Sequence, residues 1–278
     1  MSVTISAADV NKLRQQTGAG MMDCKKALVE AGGDFEAAVD YLRKKGAKVS
    51  ASRSDRDAQE GAVIAKTTSD GKEGVIIELN CETDFVAKNA DFVAFAEDIA
   101  ALAIESKPAS LEELLSLQLN GVNLSDRILD ETGKIGEKIA VSTYETLSAP
   151  HVVAYIHGNN RIGVLVGLSA DGAEVDEAGK DVAMQIAAMN PASVDKEDVD
   201  QTIIDRELEI AREQIRAEGK PEAMLDKIAQ GKLNKFFKEN TLLNQEFVKD
   251  SSKTVRQMLD GVQKGLSVIT FKRKMLGS

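Results

Sequence analysis

Few residues of this chain have side chains suited to nucleophilic or acid–base chemistry. It contains two histidines, His151 and His157, and two cysteines, Cys24 and Cys81. A Cys81–His157 pair of the kind that cysteine hydrolases use can be drawn, but no GxSxG, HExxH or P-loop motif accompanies it. The cysteines have neither a CxxC nor a zinc-ligand spacing, so we expect reduced thiols and no metal site. These patterns favour a protein that is not an enzyme and has no cofactor, with a cysteine hydrolase as an alternative.

A second candidate for chemistry is the stretch Thr17-Gly18-Ala19-Gly20. A dinucleotide-binding loop carries a third glycine and follows a strand, whereas this stretch lacks that glycine and follows a predicted helix. We therefore interpret it as a tight turn between two helices. Met21 and Met22 come directly after the turn, and they are either buried fillers of the core or exposed, adaptable contacts.

The residue that most suggests a contact role is Phe85, an aromatic side chain beside Asp84 in a polar stretch. Its position between a predicted strand and a predicted helix allows two interpretations. Phe85 and Val86 could begin the apolar face of the helix, which is the simpler interpretation from spacing alone. Alternatively, Phe85 lies on a protruding loop, and loops on rigid scaffolds often carry function.

An internal repeat bears on this choice. Two predicted strands, 63–65 and 74–77, recur 89 residues later as 152–154 and 163–166. A helix follows each pair of strands, but the matching endings Lys107-Pro108 and Asn190-Pro191 are offset by only 83 residues. The first copy therefore carries six extra residues (89 against 83) near Asn80–Val86. This excess favours the protruding loop, since a core residue needs no insertion.

The first fifty residues predict a small helical head. Three short helices are expected within residues 5–46, the first capped by Ser6, the third capped by Asp34 and ended by Gly46. A polar stretch with almost no large apolar residues follows. We interpret that stretch as a linker that lets the head move.

The last third of the chain predicts a helical hairpin. Helical spacing over residues 198–240 is interrupted by Glu218–Pro221, as expected for a short antiparallel coiled coil. Ser251 or Ser252 is expected to cap one more helix, and Val268–Phe271 to form a closing strand. Strand pairs followed by helices, without βαβ alternation, predict an α+β fold with antiparallel sheets. The predicted domains are a head at 1–49, a linker at 50–60, a first core repeat at 61–148 and a second at 149–278 that contains the hairpin.

Composition narrows the range of partners. The 278 residues carry a formal net charge of −10, which argues against non-specific binding to nucleic acids or anionic membranes. No apolar run is long enough to span a bilayer, and the start of the chain lacks the features of a secretory signal. From the sequence we expect a soluble cytoplasmic protein whose partner is another protein.

Three motifs resemble the elongation factor Ts family. They are Leu13–Leu28, Asn80–Asn89 and His157–Leu165, and they occur in the family's order across nearly the whole chain. The resemblance implies a three-helix head like a ubiquitin-associated (UBA) domain, a duplicated core and a protruding coiled coil. It also implies a guanine-nucleotide exchange factor that binds elongation factor Tu with GDP, perturbs its magnesium site and promotes release of GDP during translation elongation.

The resemblance assigns roles to individual residues. The loop that displaces magnesium from the partner would comprise Thr83, Asp84, Phe85 and Val86, with Phe85 as an apolar wedge. The residues implied to bind the partner directly are Leu13, Met21, Met22 and Lys25 in the head, together with Ile135, Gly136 and His157. The stoichiometry of the complex, 1:1 or 2:2, stays open. The alternative function is that of a ubiquitin-like adaptor without exchange activity, suggested by the head alone.

Overall fold

The structure is a computed structural model that describes residues 5–53 and 55–278. Met1–Thr4 of the predicted head and Ser54 of the predicted linker lie outside the described residues. Helices alternate with small antiparallel sheets along the described chain, which confirms the predicted α+β class.

The elements of the described residues follow in chain order. The helices are α1 (Ala7–Thr17), α2 (Met21–Glu30), α3 (Phe35–Ser52), α4 (Asp84–Ala87), α5 (Ala90–Ser106), α6 (Leu111–Ser116), α7 (Leu124–Ile135), α8 (Ala173–Met189), α9 (Gln201–Ala217), α10 (Leu225–Asn240) and α11 (Val255–Val262). The strands are β1 (Glu60–Thr67), β2 (Glu73–Cys81), β3 (Gln118–Leu119), β4 (Val122–Asn123), β5 (Ala140–Ser148), β6 (His151–His157), β7 (Ile162–Leu168), β8 (Glu246–Phe247), β9 (Asp250–Thr254) and β10 (Val268–Met275). Short 3₁₀ turns occur at Lys196–Asp198, Glu222–Met224 and Leu242–Asn244.

The chain forms two compact units. The first comprises the chain up to Ile64, Ile76–Tyr144 and Met275–Ser278, and the second comprises Ala65–Val75 and Glu145–Lys274. The first unit thus contains the head helices together with most of the first repeat. The predicted domain boundaries at 49, 60 and 148 differ from the boundaries of these compact units. The predicted domains therefore stay a prediction.

The head forms the three predicted helices, and side chains cap the first turns of α1 and α3. The Ser6 hydroxyl accepts a hydrogen bond from the Asp9 N–H at 3.1 Å, and the Asp9 carboxylate accepts one from the Ser6 N–H at 3.2 Å. This reciprocal pair begins α1, and Gly18 ends it in the left-handed conformation with φ 69°. Asp34 caps α3 as predicted, accepting a hydrogen bond from the Ala37 N–H at 2.9 Å. The buried apolar residues of the head core are Val10, Leu13, Ala19, Cys24, Ala27, Leu28 and Ala38.

The predicted end of the third helix at Gly46 is wrong, because α3 continues to Ser52. Gly46 is buried where α3 crosses α7, and a Cβ atom built on it would lie 2.7 Å from the Leu129 carbonyl oxygen. Gly46 therefore does not end the helix. Its lack of a side chain lets α3 and α7 approach closely. Residues 50–52 of the predicted linker are consequently helical.

In both copies of the repeat, two strands are followed by a long helix. The structure shows which segments account for their difference in length. Helices α5 and α8 each contain 17 residues and end at a left-handed residue, Lys107 with φ 49° and Asn190 with φ 45°. Strand β2 has 9 residues against 7 in β7, so the strand accounts for two of the six extra residues. The other four lie in the connection, which covers residues 82–89 in the first copy and only 169–172 in the second.

Each repeat contributes a hairpin to a three-stranded sheet. One sheet has the order β1-β2-β5 and the other has the order β10-β7-β6. Strands β6 and β7 pair antiparallel from His151 opposite Leu168 to His157 opposite Ile162, as the repeat predicts. Helix α8 covers this hairpin and buries Val182 and Ile186 against it in the core of the second unit.

The helical hairpin and the final strand are confirmed, with one correction between them. Helices α9 and α10 pack through Ala211, Ile215, Leu225 and Ala229, on either side of the predicted turn. The cap of α11 is Thr254 rather than Ser251 or Ser252, because Thr254 and Gln257 exchange side-chain-to-backbone hydrogen bonds. Within residues 5–53 and 55–278, no helix is long and apolar enough to cross a membrane.

Candidate functional site

Phe85 lies on α4, a single helical turn between β2 and α5, and its side chain is 83% exposed. Thr83 caps this turn, and its hydroxyl oxygen accepts a hydrogen bond from the Val86 N–H at 3.4 Å. No residue of α4 is buried. Phe85 therefore does not begin the core of the following helix, and the alternative of an exposed loop residue is the correct one.

Two glutamates fix the chain just before this turn. The Glu137 carboxylate accepts hydrogen bonds from the Glu82 N–H at 3.1 Å, the Thr83 N–H at 3.0 Å and the Thr83 hydroxyl at 2.7 Å. The Glu82 carboxylate accepts one from the Lys138 N–H at 2.7 Å, and Nη1 of Arg53 lies 2.7 and 2.8 Å from its two oxygens. Burial raises the pKa of Glu82, but the Lys138 N–H and the Arg53 guanidinium outweigh it and hold the pKa below its usual range. Glu82 is therefore ionised at neutral pH.

The other polar groups of the loop differ in exposure. Asp84 points to solvent, and the Lys88 ammonium, 2.6 Å away, holds the pKa of its carboxyl below the usual range. Cys81 is buried, and its thiol donates a hydrogen bond to the Thr83 carbonyl at 3.2 Å. Burial, reinforced by the Glu137 charge, raises the pKa of the Cys81 thiol to about 12. A thiol in this state is a poor nucleophile, which argues against the cysteine hydrolase alternative.

Of the four head residues implied to bind the partner, Leu13 is buried and the other three are exposed. Leu13 is fully buried in the head core, where it packs with residues of α2, and its implied contact with a partner stays a prediction. Met21 and Met22 are 55% and 74% exposed, so they are not buried fillers of the core, and their contact with a partner stays a prediction. Lys25 is exposed on the same helix, α2. The head thus presents Met21, Met22 and Lys25 as one surface.

Ile135 and Gly136 lie directly before Glu137, next to the residues that anchor the Phe85 loop. Ile135 is the last residue of α7, and Gly136 ends the helix with φ 80°, its N–H donating to the Thr132 carbonyl at 2.8 Å. The family resemblance names these two residues together with His157 as binding the partner. In the structure they are adjacent in sequence to Glu137, which holds the Phe85 loop. His157 belongs to the second unit, where it is exposed at the end of β6 with Nδ1 2.9 Å from the Tyr155 hydroxyl.

Glu137, Lys138 and Arg53 belong to this site, although the sequence did not predict them as parts of it. Glu137 and Thr83 are 54 residues apart, and no periodicity or spacing connects them. The only available signal was the position of Glu137 directly after Ile135-Gly136. Metal binding has no support in the part of the chain that the structure describes, since no group of three or more His, Cys, Asp or Glu side chains there could hold an ion.

Comparison with known proteins agrees with the motifs. A family model described as elongation factor TS matches residues 82–278. The elongation factor Ts of Cytophaga hutchinsonii is 57% identical over 272 residues, covering 97% of this chain and 98% of the relative. That of Amoebophilus asiaticus is 55% identical over 277 residues, covering 99% and 100%. That of Alkalilimnicola ehrlichii is 45% identical over 277 residues, covering 99% and 93%. The chain therefore belongs to the elongation factor Ts family of translation elongation factors.

Proposed function

We propose that this chain promotes release of GDP from elongation factor Tu, with Phe85 as the apolar wedge that disturbs the partner's nucleotide site. The observation that carries the proposal is the 83% exposure of Phe85 on an anchored one-turn helix in a member of the elongation factor Ts family. An exposed phenylalanine on a polar loop contributes little burial energy to the stability of its own chain. It does provide apolar surface that a partner can bury.

The proposed target is the magnesium ion that bridges nucleotide and partner. Mg²⁺ demands near-ideal octahedral geometry and is held through few protein ligands and several waters. A small displacement of the surrounding partner loops therefore removes the ion and much of the affinity for GDP. Thr83, Asp84 and Val86 frame the wedge: Thr83 caps α4, Asp84 adds charge beside Phe85, and Val86 forms the half-buried side of the turn.

Phe85 does not supply enough energy by itself. Burying one phenylalanine contributes roughly 1.5–3 kcal/mol, whereas a thousandfold faster release requires about 4 kcal/mol. The remainder comes from other contacts, and we assign it to Met21, Met22 and Lys25 of the head, to Ile135 and Gly136 beside the loop, and to His157 in the second unit. Binding and release are linked reciprocally: if this chain weakens GDP binding, then GDP weakens binding of this chain by the same factor.

The test compares stimulated release of a fluorescent GDP analogue from elongation factor Tu by the unmodified chain and by Phe85→Ala. We expect the maximal rate to fall about ten- to hundredfold, the equivalent of roughly 1.5–3 kcal/mol at about 1.4 kcal/mol per factor of ten. Met189→Ala is the matched control, because Met189 is also an exposed apolar residue but lies on α8. It should release the analogue at the unmodified rate.

Full stimulation by Phe85→Ala would contradict the wedge assignment. Binding to elongation factor Tu without any acceleration by the unmodified chain would instead favour the adaptor alternative. A stoichiometry of 1:1 or 2:2 would be read from the mass of the purified complex by light scattering.

A further inference from the structure

The turn that presents Phe85 holds its own orientation only weakly. Helix α4 contains four residues, none of them buried. Isolated helices shorter than about 12–15 residues are marginal in water, because nucleation fixes several residues for one hydrogen bond. The Asp84–Lys88 ion pair cannot supply the missing energy, since its side chains are 45% and 73% exposed and such pairs contribute little. The orientation of Phe85 must therefore depend on contacts outside α4.

Those contacts form what we term the glutamate clamp, which consists of Glu82 and Glu137. β2 ends at Cys81 and β5 begins at Ala140, so the clamp lies just beyond the two strands. The Glu137 carboxylate takes the N–H of Glu82, and the Glu82 carboxylate takes the N–H of Lys138. The two carboxylates thus join the two chain segments just beyond the ends of the strands.

Glu137 does more than join these segments. It also accepts hydrogen bonds from the N–H and the hydroxyl of Thr83, which is the N-cap of α4. With its Oγ1–H donated to Glu137, the Thr83 oxygen keeps a lone pair for the Val86 N–H. One carboxylate therefore fixes both the backbone and the cap from which α4 starts.

From this geometry we infer that Glu137 is a positioning residue for Phe85, acting through Thr83 to hold the wedge in the orientation that the partner receives. The inference rests on the proposed function. A preorganised loop loses less conformational entropy on binding, so more of the burial energy of Phe85 is available to strain the partner. Arg53 extends the effect to the head: it ends α3, and it holds Glu82, the other half of the clamp.

The first experiment measures orientation and does not depend on exchange activity. The chain contains no tryptophan, so Phe85→Trp introduces a single tryptophan at the wedge, which can be excited selectively over the tyrosines. We expect the fast, local component of its time-resolved anisotropy decay to grow when Glu137→Ala is added. Glu112→Ala is the matched control, since Glu112 is an exposed glutamate on α6. Equal local motion in the Glu137→Ala and Glu112→Ala chains would overturn the inference.

The second experiment is a double-mutant cycle on stimulated GDP release. Three hydrogen bonds to a charged acceptor are lost in Glu137→Ala, and we expect release to slow by about tenfold or more. In a Phe85→Ala background the same change should have almost no further effect, because no wedge remains to be positioned. Glu137→Gln should retain most of the activity, since its amide oxygen still accepts from both N–H groups and its NH₂ still reaches the Thr83 oxygen. If Glu137 acted only through its negative charge, Glu137→Gln would instead lose this activity.

The outcomes separate this inference from the function on which it rests. If the fluorophore introduced by Phe85→Trp gains local motion but Phe85→Ala leaves release unchanged, the wedge function fails while the clamp stands. If Phe85→Ala slows release but Glu137→Ala does not, or slows it equally in both backgrounds, the positioning role is refuted. Should Glu137→Ala fail to fold, as judged by circular dichroism, Thr83→Val takes its place and Thr83→Ser serves as its conservative control.

Discussion

The crossing of α3 and α7 depends on a pair of glycines, and the sign of a single substitution tests it. A Cβ atom on Gly46 would lie 2.7 Å from the Leu129 carbonyl oxygen and 3.5 Å from the Gly133 Cα. A Cβ atom on Gly133 would lie 2.7 Å from the Gly46 Cα. All these neighbours are backbone atoms, which cannot rotate away. Gly46→Ala therefore requires the two helices to move apart.

Two opposing terms decide the result. Alanine in place of glycine inside a helix contributes about 0.5–1 kcal/mol to stability. Overpacking against an immobile neighbour costs about 1–3 kcal/mol. From these two terms we expect Gly46→Ala to be destabilising by up to about 2.5 kcal/mol. Gly231→Ala provides the matched control, because Gly231 lies inside α10 and a Cβ atom there would meet nothing within 4 Å. Its substitution should be stabilising by the propensity term alone.

Thermal unfolding of the full chain, followed by circular dichroism at a helical wavelength, measures both variants. At roughly 2–4 °C per kcal/mol for a chain of this size, Gly46→Ala should lower the midpoint by a few degrees and Gly231→Ala should raise it slightly. The chain has two compact units that need not melt together, so midpoints are compared rather than converted to free energies. A Gly46→Ala chain that melts above the unmodified temperature would refute the close approach of α3 and α7.

Two further predictions concern the thiols and the head surface. Burial raises the pKa of Cys24, and burial with the Glu137 charge raises that of Cys81 to about 12, so both thiols stay protonated at about pH 8. Ellman's reagent should therefore react with both only after denaturation, since the thiolate is the nucleophile; fast reaction of the native chain would show that a thiol is accessible. Exchanging Met21 and Met22 for glutamine should weaken binding to elongation factor Tu about tenfold or more by titration calorimetry, without lowering the unfolding midpoint, because both side chains are exposed. An unchanged affinity would remove the head from the interface.

Local chemistry was enough to predict much of the fold. Ser6 and Asp34 cap the helices that they were expected to cap, because capping requires only a side-chain oxygen two or three residues from the N–H groups it accepts. The repeat could also be predicted from the sequence, because corresponding strands of the two copies are separated by the same number of residues. The six-residue excess marks the neighbourhood of Phe85 in the sequence, and the structure divides that excess between β2 and the connection that contains α4.

Predictions failed where one residue type serves two purposes. Gly46 was expected to end α3, but it permits contact with α7, a helix whose position the local sequence does not reveal. Leu13 shows a related difficulty: it lies in a family motif implied to contact a partner, it is fully buried in the head core, and its part in binding stays a prediction. A motif contains buried residues that support a surface as well as exposed residues that make it up. The exposure of each side chain is needed to tell the two groups apart.

The sequence by itself determined the family, the α+β class, the order of the repeats and the place of Phe85 in an inserted stretch, because each depends on residue types at short spacing. The tertiary structure decided that Phe85 is exposed and that Glu137, 54 residues beyond Thr83, anchors its turn. It also decided that Arg53 of the head holds Glu82. These are hydrogen bonds and ion pairs between distant segments. Their partners are chosen by how the chain packs, and no local pattern in the sequence encodes that choice.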